Sequence, residues 1–251
     1  MNGGKQFQFI FGVNPVLEKL KASPQEVLEV LMFPGRSRAA LRLIEDRAKA
    51  QGLRVRYLKS QQLDRIAEGS RHQGVIAKVE SYSYAFFDAL LQALPPSTGH
   101  DWILCLDGLN DPRNFGALLR CAEGAGIRHV IIPKDRSVEV TPAVMKTSAG
   151  AAHYVKIYRV SNLRRAILAL KEKGYWAVGL DAKARDSLYE KLYPEKLVIV
   201  LGSEGRGIRP LVLQECDFLV SIPMRGKIAS LNVAAAGSIF FYELLRQKER
   251  P

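Results

Sequence analysis

Between residues 37 and 51 the apolar positions Leu41, Ile44 and Ala48 recur at three- and four-residue intervals, which marks one face of a helix that Gly52 ends. Ahead of it, Asn14-Pro15 is a good helix start, because asparagine caps and proline at the first helical position loses no needed donor. The continuous apolar run 27–33 closes on the turn signal Pro34-Gly35. Strand patterns at 53–58 and 75–79 flank a short helix around 60–68, so residues 1–80 are expected to form one small α/β module, a sheet covered by helices. Residues 81–94 suggest a short helix, and Pro95-Pro96-Ser97-Thr98-Gly99 has linker composition, so residues 81–100 are set apart as a linker. From there strand patterns at 102–107, 130–132, 176–180, 197–201 and 218–222 alternate with helical ones, and a last helix is expected from about 230 to 247. That alternation predicts a mostly parallel sheet with crossover helices over residues 101–251.

Composition narrows the function classes. At 251 residues and 47% apolar content the chain can bury one large or two modest cores, and no apolar run reaches the eighteen or more residues of a membrane span. The amino-terminal segment lacks the apolar core of a signal peptide, so a cytoplasmic location without membrane association is expected. Cys105, Cys121 and Cys216 are far apart and have neither CxxC spacing nor clustered histidines, so they predict buried thiols and no metal site. His72 has no partner histidine and is read as structural, with RNA contact as its alternative. A formal net charge of +12 makes a polyanion, nucleic acid first, the expected partner.

Three segments carry candidate chemistry, each at a strand end, where open α/β sheets bind ligands. The first, NDPRNFGALLR at 110–120, is a polar loop entering a helix, with Asp111 suited to cap it and Pro112 to its first turn. Arg113 and Arg120, seven residues apart, share a helix face, and small residues flanking Arg120 would admit another backbone. In the second, LGSEGRGI at 201–208, three glycines within six residues permit close contact between backbone and ligand, though neither a phosphate loop nor a dinucleotide fingerprint is present. In the third, IPMRGKIASLNVAAAGSI at 222–239, a strand leads into a helix that Ser230 can cap, with the small run 234–237 fitted to tight packing.

Taken together and in this order, the three segments resemble the signature motifs of the SpoU (TrmH-like) RNA ribose 2′-O-methyltransferases, of the SPOUT superfamily. The resemblance covers about residues 100–248, and RHQGV at 71–75 is similar to the end of the family's amino-terminal RNA-binding domain. The subgroup it most resembles methylates a guanosine ribose in large-subunit (23S) ribosomal RNA. The resemblance implies a methyltransferase domain tied in a deep trefoil knot, S-adenosylmethionine as donor, no metal, an RNA substrate and a homodimer with the last helix at its interface. Phe240, Phe241, Leu244 and Leu245 beside the small run 234–237 give that helix more apolar surface than a terminal helix needs, which suggests the same dimer, with burial within one subunit as the alternative.

Residue by residue, the resemblance implies that Arg120 is catalytic, as the base together with a substrate phosphate or as a stabiliser of the developing alkoxide. The second role needs no neutral arginine. Asn114 is expected to orient Arg120 or the ribose, Glu204 to hold the arginine by a charged hydrogen bond, Asn232 to complete the pocket and Ser230 to cap the helix beside it. For the cofactor the positions carried over are Gly202, Ile222 and Leu231, with Met224 and Leu201 beside them and Gly179-Leu180 as a further wall. The segment 147–151 resembles a stretch flanking the family's site. Competing readings are the same reaction on another RNA, such as transfer RNA, and an RNA-binding protein that keeps the fold without catalysis. The presence of Asn114, Arg120, Glu204 and Asn232 disfavours the latter.

Overall fold

The structure, a computed structural model of the chain, describes residues 7–34, 39–80, 82–94, 100–228 and 230–249. It divides into two compact units, residues 1–83 and 84–251. The proline-rich segment 95–99 lies outside the described residues.

In the first unit four strands, β1 (Phe7–Phe11), β2 (Val27–Met32), β3 (Val55–Tyr57) and β4 (Val75–Glu80), form a sheet in the order β1-β4-β2-β3. Only the β2–β3 pair is parallel. The two-residue period of β4 sends Val75, Ala77 and Val79 to a core shared with Val16 and Leu20 of α1 (Val13–Ala22) and Ile44 and Ala48 of α2 (Ala39–Ala50). Ile76 faces the other side, with Leu63 and Ala67 of α3 (Ser60–Ala67). β1 is an element the sequence pattern did not predict. The expected cap at Asn14 is also corrected, because α1 already begins at Val13, whose N–H donates to Gln73 Oε1 at 3.1 Å. His72 ties the turn before β4. Its Nδ1 accepts the Gly74 N–H at 3.1 Å, and its Nε2 lies 2.9 Å from Asp64 Oδ1, which makes it a structural residue.

The second unit begins at Tyr84, so α4 (Phe87–Ala93), in the span expected to be linker, packs with this unit by burying Leu90. Seven strands, β5 (Asp101–Asp107), β6 (His129–Pro133), β7 (Lys156–Val160), β8 (Trp176–Leu180), β9 (Asp186–Ser187), β10 (Lys196–Gly202) and β11 (Phe218–Ser221), form one parallel sheet in the order β7-β6-β5-β10-β8-β11-β9. Ile103, Cys105, Ile131, Val198 and Val200 face α4, α7 (Leu163–Lys171) and α8 (Pro210–Leu213). The opposite face is covered by α5 (Pro112–Gly124) and α9 (Val233–Lys248), which pack on each other, with α6 (Pro142–Thr147) against α5. The chain runs outward from β5 to β7 and then returns to place β10 directly beside β5. The strand order therefore reverses between β5 and β10, and loops leaving their carboxyl ends diverge around a crevice.

Glycine has a specific task at two of the helix contacts. A Cβ on Gly116 of α5 would lie 2.6 Å from Thr147 Cβ and 3.0 Å from Ser148 N, so the segment 147–151 reaches the first motif only because that position has no side chain. On α9, a Cβ on Gly237 would sit 2.5 Å from Leu118 Cδ2 and 2.9 Å from Leu201 Cδ1. Phe240, Phe241 and Leu244 are at most 2% exposed, buried within this one chain. The apolar surface on which the sequence-based dimer argument rested is thus already used by the unit's own core, and Leu245 alone of the four is partly exposed.

Candidate active site

The carboxyl end of β5 carries Asp107, whose side chain is wholly buried, a costly place for a carboxylate unless charge and hydrogen bonds compensate. Arg209, 102 residues later, supplies both: Oδ2 accepts its backbone N–H at 2.8 Å, and Oδ1 accepts Nε at 2.7 Å and lies 2.6 Å from Nη2. This bidentate grip fastens the segment after β10 to the neighbouring strand, where Gly202 is the register partner of Asp107.

Four residues beyond Asp107, the Asp111 carboxylate accepts the Arg113 N–H at 2.8 Å and caps α5, with Pro112 in the first turn. The helix entry fixed in this way turns Asn114 inward, to 8% exposure. Asn114 donates through Nδ2 to Glu204 Oε1 at 2.8 Å. Asn232 donates through Nδ2 to the same oxygen at 2.6 Å and to Asn114 Oδ1 at 3.0 Å. Its own Oδ1 accepts the N–H groups of Ala234 and Ala235 at 2.9 and 3.4 Å, which makes Asn232 the cap of α9. One side chain from each of the three motifs thus enters a closed ring of hydrogen bonds. Glu204 Oε2 takes no hydrogen bond among the described residues.

Beside the ring lies a cavity of about 520 Å³, within the range of small-molecule pockets. Leu180, Leu201, Ile208, Ile222, Met224 and Leu231 give it aliphatic walls, Gly202 and Ser230 also line it, and Asp181, Lys183 and Arg206 add charge. The loop after β10 is folded tightly enough to dictate its own glycine. Ser203 and Gly207 exchange N–H···O bonds of 3.1 and 2.9 Å, and a Cβ on Gly202 would lie 2.0 Å from the Gly207 carbonyl carbon. Among the described residues no group of three or more His, Cys, Asp or Glu is placed to hold a metal ion.

Residues 101–242, which supply this entire arrangement, match the family model of the SpoU rRNA methylases. The chain belongs to the SpoU family. Residues 9–85 of this SpoU chain match a second model, that of RNA 2′-O ribose methyltransferase substrate binding. The 23S rRNA (guanosine-2′-O-)-methyltransferase RlmB of Coxiella burnetii is 40% identical over 242 residues, covering 96% of each chain. RlmB of Shewanella oneidensis is 39% identical over 244 residues, covering 97% of this chain and 99% of the relative. Among solved structures, the SpoU methyltransferase AviRb from Streptomyces viridochromogenes, in complex with the cofactor AdoMet, superposes with a TM-score of 0.69 at 21% identity, over 96% of this chain and 90% of that one. At that identity the likeness is one of fold.

Within this SpoU fold most expected site residues converge, and three expectations, those for Glu204, Ser230 and Gly179, are corrected. Glu204 bonds Asn114 and Asn232 and holds no arginine. Arg120 lies six residues beyond Asn114 on α5, roughly 9 Å along the axis and about a third of a turn away. It is exposed, without a hydrogen bond or ion pair among the described residues, and does not line the cavity. Ser230 does not cap α9, because the helix starts three residues later on Asn232. Gly179 is not a cavity wall. Strand alternation points its Cβ position the other way, into Leu219, Cys216 and Ile208 at 2.9–3.2 Å, while Leu180 faces the cavity. Burial there pushes the Cys216 thiol up to about 12 and raises that of Cys105 as well, so both are inert, protonated packing groups. The Asp107–Arg209 clamp was not foreseen. Its only sequence signals are a carboxylate ending an apolar strand and an arginine just past the second motif.

Proposed function

We propose that this chain methylates the ribose 2′-hydroxyl of a guanosine in 23S ribosomal RNA, with S-adenosylmethionine as donor. The observation that carries the reading is that relatives named for this reaction match nearly the whole chain, both units included, at 39–40% identity. The cavity fits the donor by an independent test. It has the volume for a nucleoside-sized ligand, aliphatic walls suited to sandwich a purine, and a glycine loop that brings backbone to its edge. Leu180, Leu201, Gly202, Ile222, Met224 and Leu231 would hold the donor, which supplies an electrophilic methyl group and needs no metal.

The chain's own residues then have separable tasks. The Asn114–Glu204–Asn232 ring fixes the polar rim, and Glu204 Oε2 is free to accept a hydrogen bond from the substrate hydroxyl. Arg120, paired with a neighbouring phosphate of the RNA, stabilises the negative charge that develops on the oxygen as its proton passes to Glu204 Oε2 and the methyl group is transferred to it. Because Arg120 stands apart from the ring within one chain, the arrangement that unites them is a homodimer. In it the exposed face of α5 and α9, where Gly124 adjoins Tyr242, brings Arg120 to the partner's ring. The carboxyl-terminal chain is read as threaded in the trefoil knot of the family. Support comes from family membership and from β10 standing between the earlier strands β5 and β8. The first unit is read as an RNA-binding domain, and the enzyme as cytoplasmic, where its ribosomal substrate is assembled. No helix among the described residues is long and apolar enough to cross a membrane.

Mass-spectrometric mapping of ribose methylation in 23S RNA, from cells with and without the gene and after incubation with purified protein and donor, tests the reading. One guanosine is expected to gain a methyl group. An unmodified 23S RNA beside a methylated transfer RNA would replace the substrate named here.

A further inference from the structure

The segment between β6 and α6 lies next to the first motif, yet nothing in the site described above uses it. It is held firmly at several points. The Val138 N–H donates to the Leu109 carbonyl at 2.8 Å, the Val140 N–H to the Tyr84 hydroxyl at 2.9 Å, and the Lys134 carbonyl accepts from Arg159 Nη2 at 2.8 Å. Arg159 in turn lies over the Tyr84 ring, 5.0 Å from its centroid, and pairs with Glu139 at 3.0 Å. Val138 and Val140 are buried beneath it. The crest of this braced loop is Arg136, with φ +54°, in the left-handed region that arginine rarely adopts. Its carbonyl lies 3.9 Å from where a Cβ of Gly108 would be, so the crest stands directly against the turn that leads into α5.

The side chain that this backbone presents is exposed, and no hydrogen bond or ion pair engages it among the described residues. The same holds for Arg113 at the start of α5, and Lys134 at the foot of the loop is exposed too. The acidic neighbours are Asp135, exposed beside it, and Glu139, already paired with Arg159. At the base of the crest, Ser137 Oγ is buried without a hydrogen-bond partner. A rigid loop that holds an unpartnered guanidinium over the carboxyl ends of the strands, in an unfavourable backbone conformation, has the properties of a phosphate grip.

We propose that Arg136 binds a backbone phosphate of the RNA substrate and thereby sets the register of the target nucleotide against the Asn114–Glu204–Asn232 ring. This rests on the RNA-methyltransferase reading and adds to it a binding residue that lies outside the three motifs. The side chain acts on substrate binding, not on the cofactor, since Arg136 does not line the cavity. Loss of one phosphate contact weakens binding at all sequences alike and flattens the salt dependence, lowering the slope of log K against log salt by about 0.7–0.9.

Arg136→Gly and Arg136→Lys, compared with the unaltered protein, test this on a 23S RNA fragment that the unaltered protein methylates. Glycine removes the guanidinium and relaxes the left-handed backbone, so it should raise the melting temperature slightly while weakening RNA binding about tenfold and flattening the salt slope. The KM for RNA should rise in parallel, with the saturated single-turnover rate and the S-adenosylmethionine affinity little changed. Lysine should recover part of the affinity and most of the salt slope. A folded Arg136→Gly protein with unaltered RNA affinity and salt slope would overturn the proposal and leave the methyltransferase reading standing. Failure of the unaltered protein to methylate any RNA would overturn that reading instead. Binding and salt slope measured without turnover would still judge Arg136.

Discussion

Arg120→Ala separates chemistry from architecture, because the structure gives Arg120 nothing structural to do. It is an exposed helix residue without a partner among the described residues, and alanine is the better helix former, so stability should stay within about 0.5 kcal/mol of the unaltered protein. Since Arg120 lines no part of the cavity, S-adenosylmethionine affinity should also be preserved. Losing a transition-state charge contact costs about a hundredfold in rate, which corresponds to about 2.7 kcal/mol of barrier. Arg120→Lys should be nearly as slow, because an ammonium does not reproduce a planar grip shared between a phosphate and a ribose oxygen. The assay is single-turnover methylation of a 23S RNA fragment, read beside calorimetric cofactor binding and thermal melting. The proposed dimer gives it a second arm. If Arg120 acts on the partner's ring, mixing and reassembling Arg120→Ala with Glu204→Gln protomers restores one intact site in each mixed dimer, about a quarter of full activity overall. Near-normal turnover in the alanine variant would refute the role of Arg120. A dead mixture of two individually folded variants would refute its action across subunits.

Asn232→Ala removes the cap of α9 and two bonds of the ring, so denaturant unfolding should show a loss of about 1–2 kcal/mol, whereas Asn232→Asp keeps the cap but sets a second carboxylate against Glu204 and should lose activity with less loss of stability. Gly202→Val should displace the loop against Gly207 and weaken cofactor binding at least about tenfold in calorimetry, through the loop's own backbone and not by filling the cavity. Burial holds the His129 imidazole below its usual pKa, beside the Tyr158 hydroxyl at 2.9 Å, so the unfolded chain binds the extra proton first as pH falls. Its stabilising contribution is therefore full above about pH 6.5 and is lost below it, and melting temperatures from pH 8 to 5 should fall less steeply for His129→Gln than for the unaltered protein.

The sequence pattern located β5 and β10, because continuous apolar runs buried on both faces have no other comfortable state in a protein of this size, but it missed β7, where Lys156 and Arg159 interrupt the apolar run. It also brought Asn114, Glu204 and Asn232 into one set, through motif order and resemblance. What it could not supply were directions. Whether Phe240 faces its own core or a partner turns on residues distant in sequence, such as Tyr193, whose ring centroid lies 5.1 Å from that of Phe240. Whether Ser230 or Asn232 caps α9 turns on where the loop from β11 arrives. The Asp107–Arg209 clamp joins residues 102 apart, and its geometry depends on the register of β5 with β10, which no local spacing encodes. β9 was hidden for a simpler reason, since two residues carry no period.

The reversal of strand order between β5 and β10 also governs when the enzyme comes into being during synthesis. Within the second unit β5, β6 and β7 are made first and can pair at once, but one edge of β5 stays open until β10 emerges, about ninety residues later, to fill the gap beside β8. Such late, distant pairing is slow and leaves an exposed strand edge on the nascent chain, an invitation to wrong partners that the growing protein must survive. The compensation is that no product truncated before Asn232 can close the ring. Such a chain carries Asn114 and, if long enough, Glu204, but lacks the side chain that joins them and caps α9.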